Sequence, residues 1–194
     1  MLQPGDKKAL AILGAVIVAA LVIIAGATTL LVRGHEKPLP TVAFQAGDDL
    51  TQASTPLWCS ATMTDCKFAR ANGDVSPIVA DHAVAIGDQA VISVPKEVAD
   101  GPWALIAEYA TKQGIQRVQY LHMPNEMFTQ VLRSEPDRVL LGIEVSAISA
   151  VMEQVPGQPE STDGDLAIRG VFAVRTLPVG FQIPNMTELP GVKG

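Results

Sequence analysis

The sequence predicts a single N-terminal transmembrane α-helix followed by a mainly-β extracytoplasmic domain, with an immunoglobulin-like β-sandwich as the favoured architecture. The first observation is an apolar run, residues 9–32, which contains no charged residue and no proline. The second is a series of about seven short apolar segments that end in turn residues, as the strands of small sandwiches do. The third is a closely spaced cysteine pair after the run, which suits an oxidising compartment.

The apolar run is long enough to cross a lipid bilayer as one helix. Residues 9–32 would extend about 36 Å at a rise of ~1.5 Å per residue, and the hydrocarbon core is about 30 Å thick. A cleaved signal peptide is the alternative, because Lys7 and Lys8 precede the run and Ala25-Gly26-Ala27 fits a cleavage site. The apolar region of a signal peptide is usually about 7–15 residues long, so the length favours a retained anchor.

Basic residues do not settle the orientation of this helix, because Lys7 and Lys8 precede it and Arg33 and Lys37 follow it. The short leader and the cysteine pair in the long C-terminal part favour a single-pass cell-membrane protein with a cytoplasmic N-terminus and an outer domain. The predicted division is a cytoplasmic leader at 1–8, the transmembrane helix at 9–32, a stalk at 33–40, the β-sandwich domain at 41–177 and a Pro/Gly-rich C-terminal tail at 178–194.

One side of the predicted helix carries small residues. Ala11, Ala15, Ala19, Val22 and Gly26 follow one another at steps of three or four residues, which places them on one face. Small side chains let two membrane helices approach closely, so this face is a candidate helix-packing site. The alternative interpretation is that alanine is simply a common residue in such spans.

The negative charge of the outer region excludes nucleic acid as a partner. From Pro38 onward the chain has ten Lys or Arg and eighteen Asp or Glu, a net charge of −8. Nucleic acid binding requires Lys and Arg against phosphates, so no nucleic acid partner is expected. The lipid bilayer surrounds the predicted helix, and for the outer region a basic protein partner and a solvated surface both stay open.

The outer region alternates between apolar segments and turns. Trp103, Leu105, Ala107 and Tyr109 fall on one face of a predicted strand, and Trp103 is a candidate core residue. Pro124–Arg133 fits either a short helix capped by its asparagine or an irregular edge strand. The predicted strands are Thr41–Gln45, Leu57–Met63, Ala90–Val94, Trp103–Ala110, Ile115–Met123, Arg138–Met152 and Leu166–Leu177.

Cys59 and Cys66 are predicted to form a structural disulfide bond. Six residues separate them, and closing so short a loop stabilises a fold by about 2.5 kcal/mol in the chain-entropy model. A metal site would need further His or Cys ligands at a suitable spacing, and a redox-active pair would more typically be CxxC.

The sequence offers no recognisable catalytic, cofactor-binding or metal-binding residues. His35, His82 and His122 accompany no nucleophile motif, and Asp163-Gly164-Asp165 lacks the other ligands of a calcium loop. Asn185-Met186-Thr187 matches the glycosylation pattern, which is frequent by chance. We therefore expect neither a cofactor nor an enzymatic activity, although a hydrolase of unrecognised type stays an open alternative.

Two segments carry a resemblance to known proteins. The chain resembles an actinobacterial family of membrane-anchored exported proteins of unknown function. The resemblance lies in the order of a short leader, one span, the strand Leu57-Trp58-Cys59 with Asp65-Cys66, and the segment Val94–Tyr109. In size and topology the chain is also similar to the small single-span accessory subunits of the actinobacterial respiratory supercomplex, which joins a cytochrome bcc complex to a cytochrome c oxidase.

The second resemblance implies a function. It implies a non-catalytic accessory subunit whose helix packs on cytochrome bcc or cytochrome c oxidase subunits and whose domain covers the outer face of that complex. The alternative is a membrane-tethered ligand-binding or cell-envelope assembly module, for which the helix would be a plain tether.

Overall fold

The computed structural model describes residues 4–33, 37–153 and 165–183 of the 194-residue chain. The chain divides into two compact units, Met1–Pro38 and Leu39–Gly194. Parts of the predicted leader and stalk, residues 154–164 and the end of the predicted tail lie outside the described residues.

The first unit contains one long helix, α1, which spans Pro4–Arg33. Its segment Ile12–Leu31 has a mean hydropathy of 2.5, and the side chains there are exposed. The hydroxyl groups of Thr28 and Thr29 donate hydrogen bonds to backbone carbonyls one turn earlier in the helix, so both donors are satisfied without water. By length and composition this helix is suited to cross a membrane as an anchor, and an N-terminal signal sequence has the same properties.

The second unit is a mainly-β domain, as predicted. Besides two larger sheets, its described part contains a β-hairpin that carries the cysteines and one short helical turn. The elements are β1 (Thr41–Ala46), β2 (Asp49–Ser54), β3 (Leu57–Cys59), β4 (Cys66–Phe68), β5 (Val79–Asp81), β6 (Gln89–Ser93), α2 (Lys96–Ala99), β7 (Trp103–Thr111), β8 (Gly114–His122), β9 (Thr129–Arg133), β10 (Arg138–Glu153) and β11 (Asp165–Arg175).

The two larger sheets have the connectivity of an immunoglobulin-type sandwich. One has the order β2-β1-β6-β9 and the other β5-β11-β10-β7-β8, with only the β5–β11 pair parallel among these neighbours. In an immunoglobulin domain strands A, B and E share one sheet and strands C, F and G share the other. Here β1, β6 and β9 occupy the A, B and E places, and β7, β10 and β11 occupy the C, F and G places. The predicted architecture is therefore confirmed, with β2–β5 as an insertion between A and B.

Inward-facing side chains of both sheets form one hydrophobic cluster. Trp103 lies on the C-type strand and is fully buried, as the core tryptophan of immunoglobulin domains is. The predicted core position of Trp103 and the shared face of β7 are confirmed, because Leu105, Ala107 and Tyr109 are buried in the same cluster. Neither β6 nor β10 contains a cysteine, so the inter-sheet disulfide of antibody domains has no counterpart here.

Some predicted elements differ from the structure. The helical alternative for Pro124–Arg133 is wrong: Asn125 has a φ of 60° in a turn, and the residues after it form β9 at the edge of the four-stranded sheet. The predicted strand Leu57–Met63 ends at Cys59, where the chain turns back towards Cys66. The segment between β6 and β7 contains the helical turn α2.

The chain after β11 returns across the outer face of the five-stranded sheet. Leu177 and Phe181 pack against a small apolar cluster of Ala110, Val139 and Leu141. These contacts cover apolar side chains that the sandwich interior does not bury.

Candidate functional site

The predicted disulfide bond between Cys59 and Cys66 is present. The two cysteines face each other across the short β3–β4 hairpin. Cys59 is fully buried and Cys66 is exposed, so the bond ties the outer strand of the hairpin to a strand held by the domain.

The hairpin is held against β11 by a close contact at Gly170. A Cβ atom at Gly170 would lie 2.7 Å from Cε3 of Trp58 and 3.0 Å from the carbonyl oxygen of Leu57. The next residue, Val171, donates its backbone N–H to Oγ1 of Thr55 at 3.2 Å. Only glycine therefore allows the indole to lie directly on this strand.

Arg169 connects the hairpin to α2. Its side chain is buried, Nε donates to the carbonyl oxygen of Cys59 at 3.2 Å, and Nη2 donates to the carbonyl oxygen of Glu97 at 3.3 Å. The guanidinium also lies 4.6 Å from the ring centre of Trp58, a cation–π distance. Burial lowers the pKa of Arg169, and the nearby carboxylate of Asp100 opposes that shift. The sequence signal for this role is an arginine in the middle of a mainly apolar strand, and it was not predicted from the sequence.

An apolar pocket of about 360 Å³ lies beside the hairpin. This volume is at the lower end of the range for small-molecule sites. The one ionisable side chain in its lining is Glu144, which accepts a hydrogen bond from Oγ of Ser146 at 3.1 Å. Its chemistry suits an apolar group next to a cationic or hydrogen-bond-donating group. The lining residues are Thr55, Pro56, Leu57, Val75, Pro77, Ile78, Glu144, Ile168, Gly170, Val171 and Ala173.

A second, more polar groove of about 420 Å³ follows the outer face of the five-stranded sheet and shares Glu144 with the pocket. Arg117 crosses this face and donates from Nε to Oε1 of Glu108 at 2.6 Å. Arg175 pairs with Asp81 at 3.3 Å on the same face. Both arginines already have carboxylate partners, so neither is poised to receive an anionic ligand without breaking an ion pair.

The histidines that the sequence analysis considered have different surroundings. Nδ1 of His82 lies 2.7 Å from Oγ1 of Thr51, but the adjacent carboxylate of Asp81 pairs with Arg175 instead of the imidazole. Asp81 therefore does not act as the orienting acid of a catalytic triad for this hydroxyl–imidazole pair. His35 lies outside the described residues, as do Asp163 and the Asn185 glycosylation pattern.

His122 stacks on Trp103 with ring centres 4.1 Å apart, at the end of β8. Its Nε2 is buried and has no hydrogen-bond partner among the described residues. Burial lowers the pKa of His122, while the carboxylate of Glu126 acts in the opposite direction. The residue has the features of a packing histidine. Across the described ranges, no three His, Cys, Asp or Glu side chains come together as metal ligands.

The helix-packing face predicted from the sequence falls within α1. Ala15, Ala19, Val22 and Gly26 are exposed in the chain, and a Cβ at Gly26 would meet nothing within 4 Å. The backbone of Ala11 is helical, but its side chain lies outside the described part. Docking of this face against another helix stays a prediction.

Comparisons with known proteins give one match. No curated protein and no solved structure matches the chain. A comparison with protein families matches residues 35–162, which are 128 of the 194 residues, to the family described as "Protein of unknown function (DUF2771)". The matched range contains the cysteine hairpin and both segments on which the resemblance to a family of unknown function was based. The chain therefore belongs to the DUF2771 family.

Proposed function

We propose that this chain is a membrane-anchored, non-catalytic accessory subunit, with α1 docked on a larger membrane complex and the β-sandwich covering the outer, extracytoplasmic face of that complex. The observation that carries the proposal is the long apolar helix, whose segment Ile12–Leu31 is exposed and precedes a folded domain in the chain. A span that served only to export the domain would need neither this length nor a distinct small-residue face.

The two sides of α1 support docking over simple tethering. Ala15, Ala19 and Gly26 lie on one side, so that another helix could approach the backbone closely there. Leu13, Ile17 and Ile24 lie on the opposite side and suit contact with lipid chains. In a bilayer, helices associate through packing and not through hydrophobic burial, so such a division favours a partner helix on the small side.

The specific partner we propose is the actinobacterial supercomplex of cytochrome bcc and cytochrome c oxidase. The support is the likeness in size and topology to the small single-span subunits of that assembly. The acidic domain is suited to cover a neighbouring protein surface by contacts with its basic residues. No step of electron transfer is assigned to this chain.

Co-purification tests the proposal. The full-length chain, extracted in a mild detergent, should copurify with haem-containing subunits in a fixed ratio. An Ala19→Leu variant should no longer copurify with these subunits, because the larger side chain fills the small-residue side of α1. An Ala20→Leu variant is the matched control, since that residue lies about 140° from the centre of the small side and should retain them. A monomeric, unpartnered wild-type chain would contradict the proposal, and so would equal loss in both variants.

A ligand-binding module on a plain tether is the second candidate, favoured by the apolar pocket of about 360 Å³. A fluorescent long-chain alkylamine would probe it, because its chain matches the apolar walls and its ammonium matches Glu144. Val171→Phe should reduce binding by filling the pocket, and Val131→Phe on the other sheet should not. Equal binding to both variants would remove this candidate.

A further inference from the structure

We propose that the end of the sandwich through which the chain enters the domain contacts the lipid bilayer, by an exposed apolar patch around the β8–β9 loop. The patch, called here the entry-end patch, consists of Leu121, Met123, Met127 and Phe128, which are 61%, 52%, 41% and 44% exposed. This inference depends on one part of the proposed function, the retention of α1 as an anchor, and is independent of any protein partner.

Strand pairing places the patch at the end where β1 begins. Ala43 pairs with Ser93, and Ser93 pairs with Thr129, so these three residues lie side by side in the four-stranded sheet. Thr41, at the start of β1, therefore lies at the same end as Phe128, which directly precedes β9. The β8–β9 loop crosses from one sheet to the other over this end of the domain.

The length of the connecting segment limits how far the start of β1 can lie from the end of α1. Eight Cα–Cα steps join Arg33, the last residue of α1, to Thr41, the first residue of β1. A chain of that length reaches at most about 28 Å in any conformation. The end of the sandwich that carries the patch is the end at which this connecting segment enters the domain.

Hydrogen bonds from the core fix the loop that displays the patch. Nε1 of the buried Trp103 donates to the carbonyl oxygen of Met127 at 3.2 Å. The backbone N–H of Asn125 donates to the carbonyl oxygen of Ala99 in α2 at 2.8 Å. A loop held in this way does not fold its apolar side chains back into the core. An ordered loop that keeps large apolar side chains in solvent is typical of a surface that contacts a membrane or a protein.

The neighbouring β10–β11 hairpin adds apolar surface towards the same end. Ala147 pairs with Trp103, so the part of β10 that follows extends beyond the first residue of β7. Its exposed apolar side chains, with those of the facing part of β11, are Val151, Met152, Leu166 and Ile168.

A lipid surface accounts for this end better than a charged protein surface does. The four patch side chains are uncharged, and Lys96 and Asp100 of the adjacent α2 turn form an ion pair with each other. The exposed carboxylate of Glu126 in the same loop would stay at the headgroup level, as the polar side of an interfacial segment does. Insertion of Met and Phe side chains requires no complementary charge, whereas the net charge of −8 from Pro38 onward disfavours anionic lipid. The occupant is therefore a zwitterionic lipid surface.

Depth-dependent fluorescence quenching tests the proposal. The full-length chain is reconstituted into phosphatidylcholine vesicles with brominated acyl chains, as Phe128→Trp and as Ile86→Trp. Ile86 is 45% exposed in the turn before β6, at the opposite end of the sandwich, and is the matched control. The added emission of Phe128→Trp should be mostly lost, and that of Ile86→Trp should be retained. The added emission of Leu121→Trp should be quenched as strongly as that of Phe128→Trp. Because Leu121 lies on a strand, this variant controls for the chance that a substitution in the loop disturbs folding.

Each other result overturns the proposal in a distinguishable way. If the chain floats with the vesicles but the fluorescence of Phe128→Trp is quenched no more than that of Ile86→Trp, the patch does not contact lipid. Flotation would in that case still support α1 as a membrane anchor. If the chain does not float, the anchor of the proposed function fails as well. Protection of Phe128→Trp from aqueous acrylamide only in the presence of copurified haem subunits would assign the patch to a protein partner.

Discussion

Gly170 offers the sharpest single-residue test of how the cysteine hairpin packs on the sandwich. A Gly170→Ala variant adds one methyl group at a position where Cε3 of Trp58 lies 2.7 Å away, the carbonyl oxygen of Leu57 lies 3.0 Å away and Oγ1 of Thr55 lies 3.2 Å away. The first distance is shorter than real Cβ contacts, so the hairpin has to shift away from β11.

The neighbours of Gly170 allow little relaxation. The indole of Trp58 also contacts Phe172, with ring centres 6.1 Å apart, and the guanidinium of Arg169 lies 4.6 Å from its ring centre. Overpacking of this kind costs about 1–3 kcal/mol. For a domain of roughly 150 residues each kcal/mol lowers the Tm by about 2–4 °C, so the expected loss is about 2–12 °C.

Thermal unfolding measures the effect, with Gly142→Ala as the matched control. Gly142 lies on the neighbouring strand β10, and its nearest neighbour would be the carbonyl oxygen of Val174 at 3.6 Å, an ordinary contact. A tolerated Gly→Ala change lowers the entropy of the unfolded chain, so the control should be neutral or stabilised by up to about 1 kcal/mol.

A second substitution identifies the contact that causes the loss. Trp58→Leu in the Gly170→Ala background should recover part of the stability, because it removes the atom that the new methyl group meets. If Gly170→Ala and Gly142→Ala have the same Tm, the cysteine hairpin does not pack on β11 at Gly170. That result would refute the predicted clash between the added methyl group and Trp58.

Three further predictions concern the same domain. Replacing both Cys59 and Cys66 by alanine should cost about 2.5 kcal/mol in denaturant unfolding, and a reductant should then have no further effect; a reductant effect that persists would contradict this. Arg169→Met leaves the buried carbonyl of Cys59 without this donor and should cost about 1–3 kcal/mol of unfolding free energy. Arg117→Met, at an exposed arginine, should cost less than about 0.5 kcal/mol. Similar losses in the two variants would contradict the structural role of the buried Arg169. Burial lowers the pKa of His122, so its contribution to stability is present above pH 6.5 and is lost as the pH falls through the folded-state pKa. The free energy of unfolding of His122→Phe should therefore decrease less than that of the wild type over this pH range. Parallel curves of unfolding free energy against pH for the two proteins would disprove the effect.

The alternating strands were predictable because local pattern determined them. Trp103–Ala110 places every second side chain in the core, and the turn after it leads directly to a pairing strand. The cysteine pair was equally predictable, since its short spacing already limits the geometry. In these segments the residues that contact each other are close in sequence or follow a simple period.

Other elements depend on contacts that local pattern does not contain. Asp49–Ser54 has few strand-forming residues, yet it becomes β2 because a two-residue turn returns it along the whole of β1. Arg169 contacts the carbonyl of Cys59, which is 110 residues earlier in the chain. The entry-end patch arises because strand pairing places the start of β1 beside the end of the β8–β9 loop.

The insertion that carries the disulfide also builds the apolar pocket, and this links stability to the choice between the two proposed functions. Thr55, Leu57 and Gly170 take part both in the contact of the hairpin with β11 and in the pocket lining. A ligand that binds only the folded domain raises its Tm by an amount that grows with the ratio of ligand concentration to Kd. If the chain is a ligand-binding module, Gly170→Ala should therefore weaken binding of the alkylamine and reduce the Tm rise that the probe gives. If the chain acts through its helix, the same variant should lose stability and still copurify with the membrane complex.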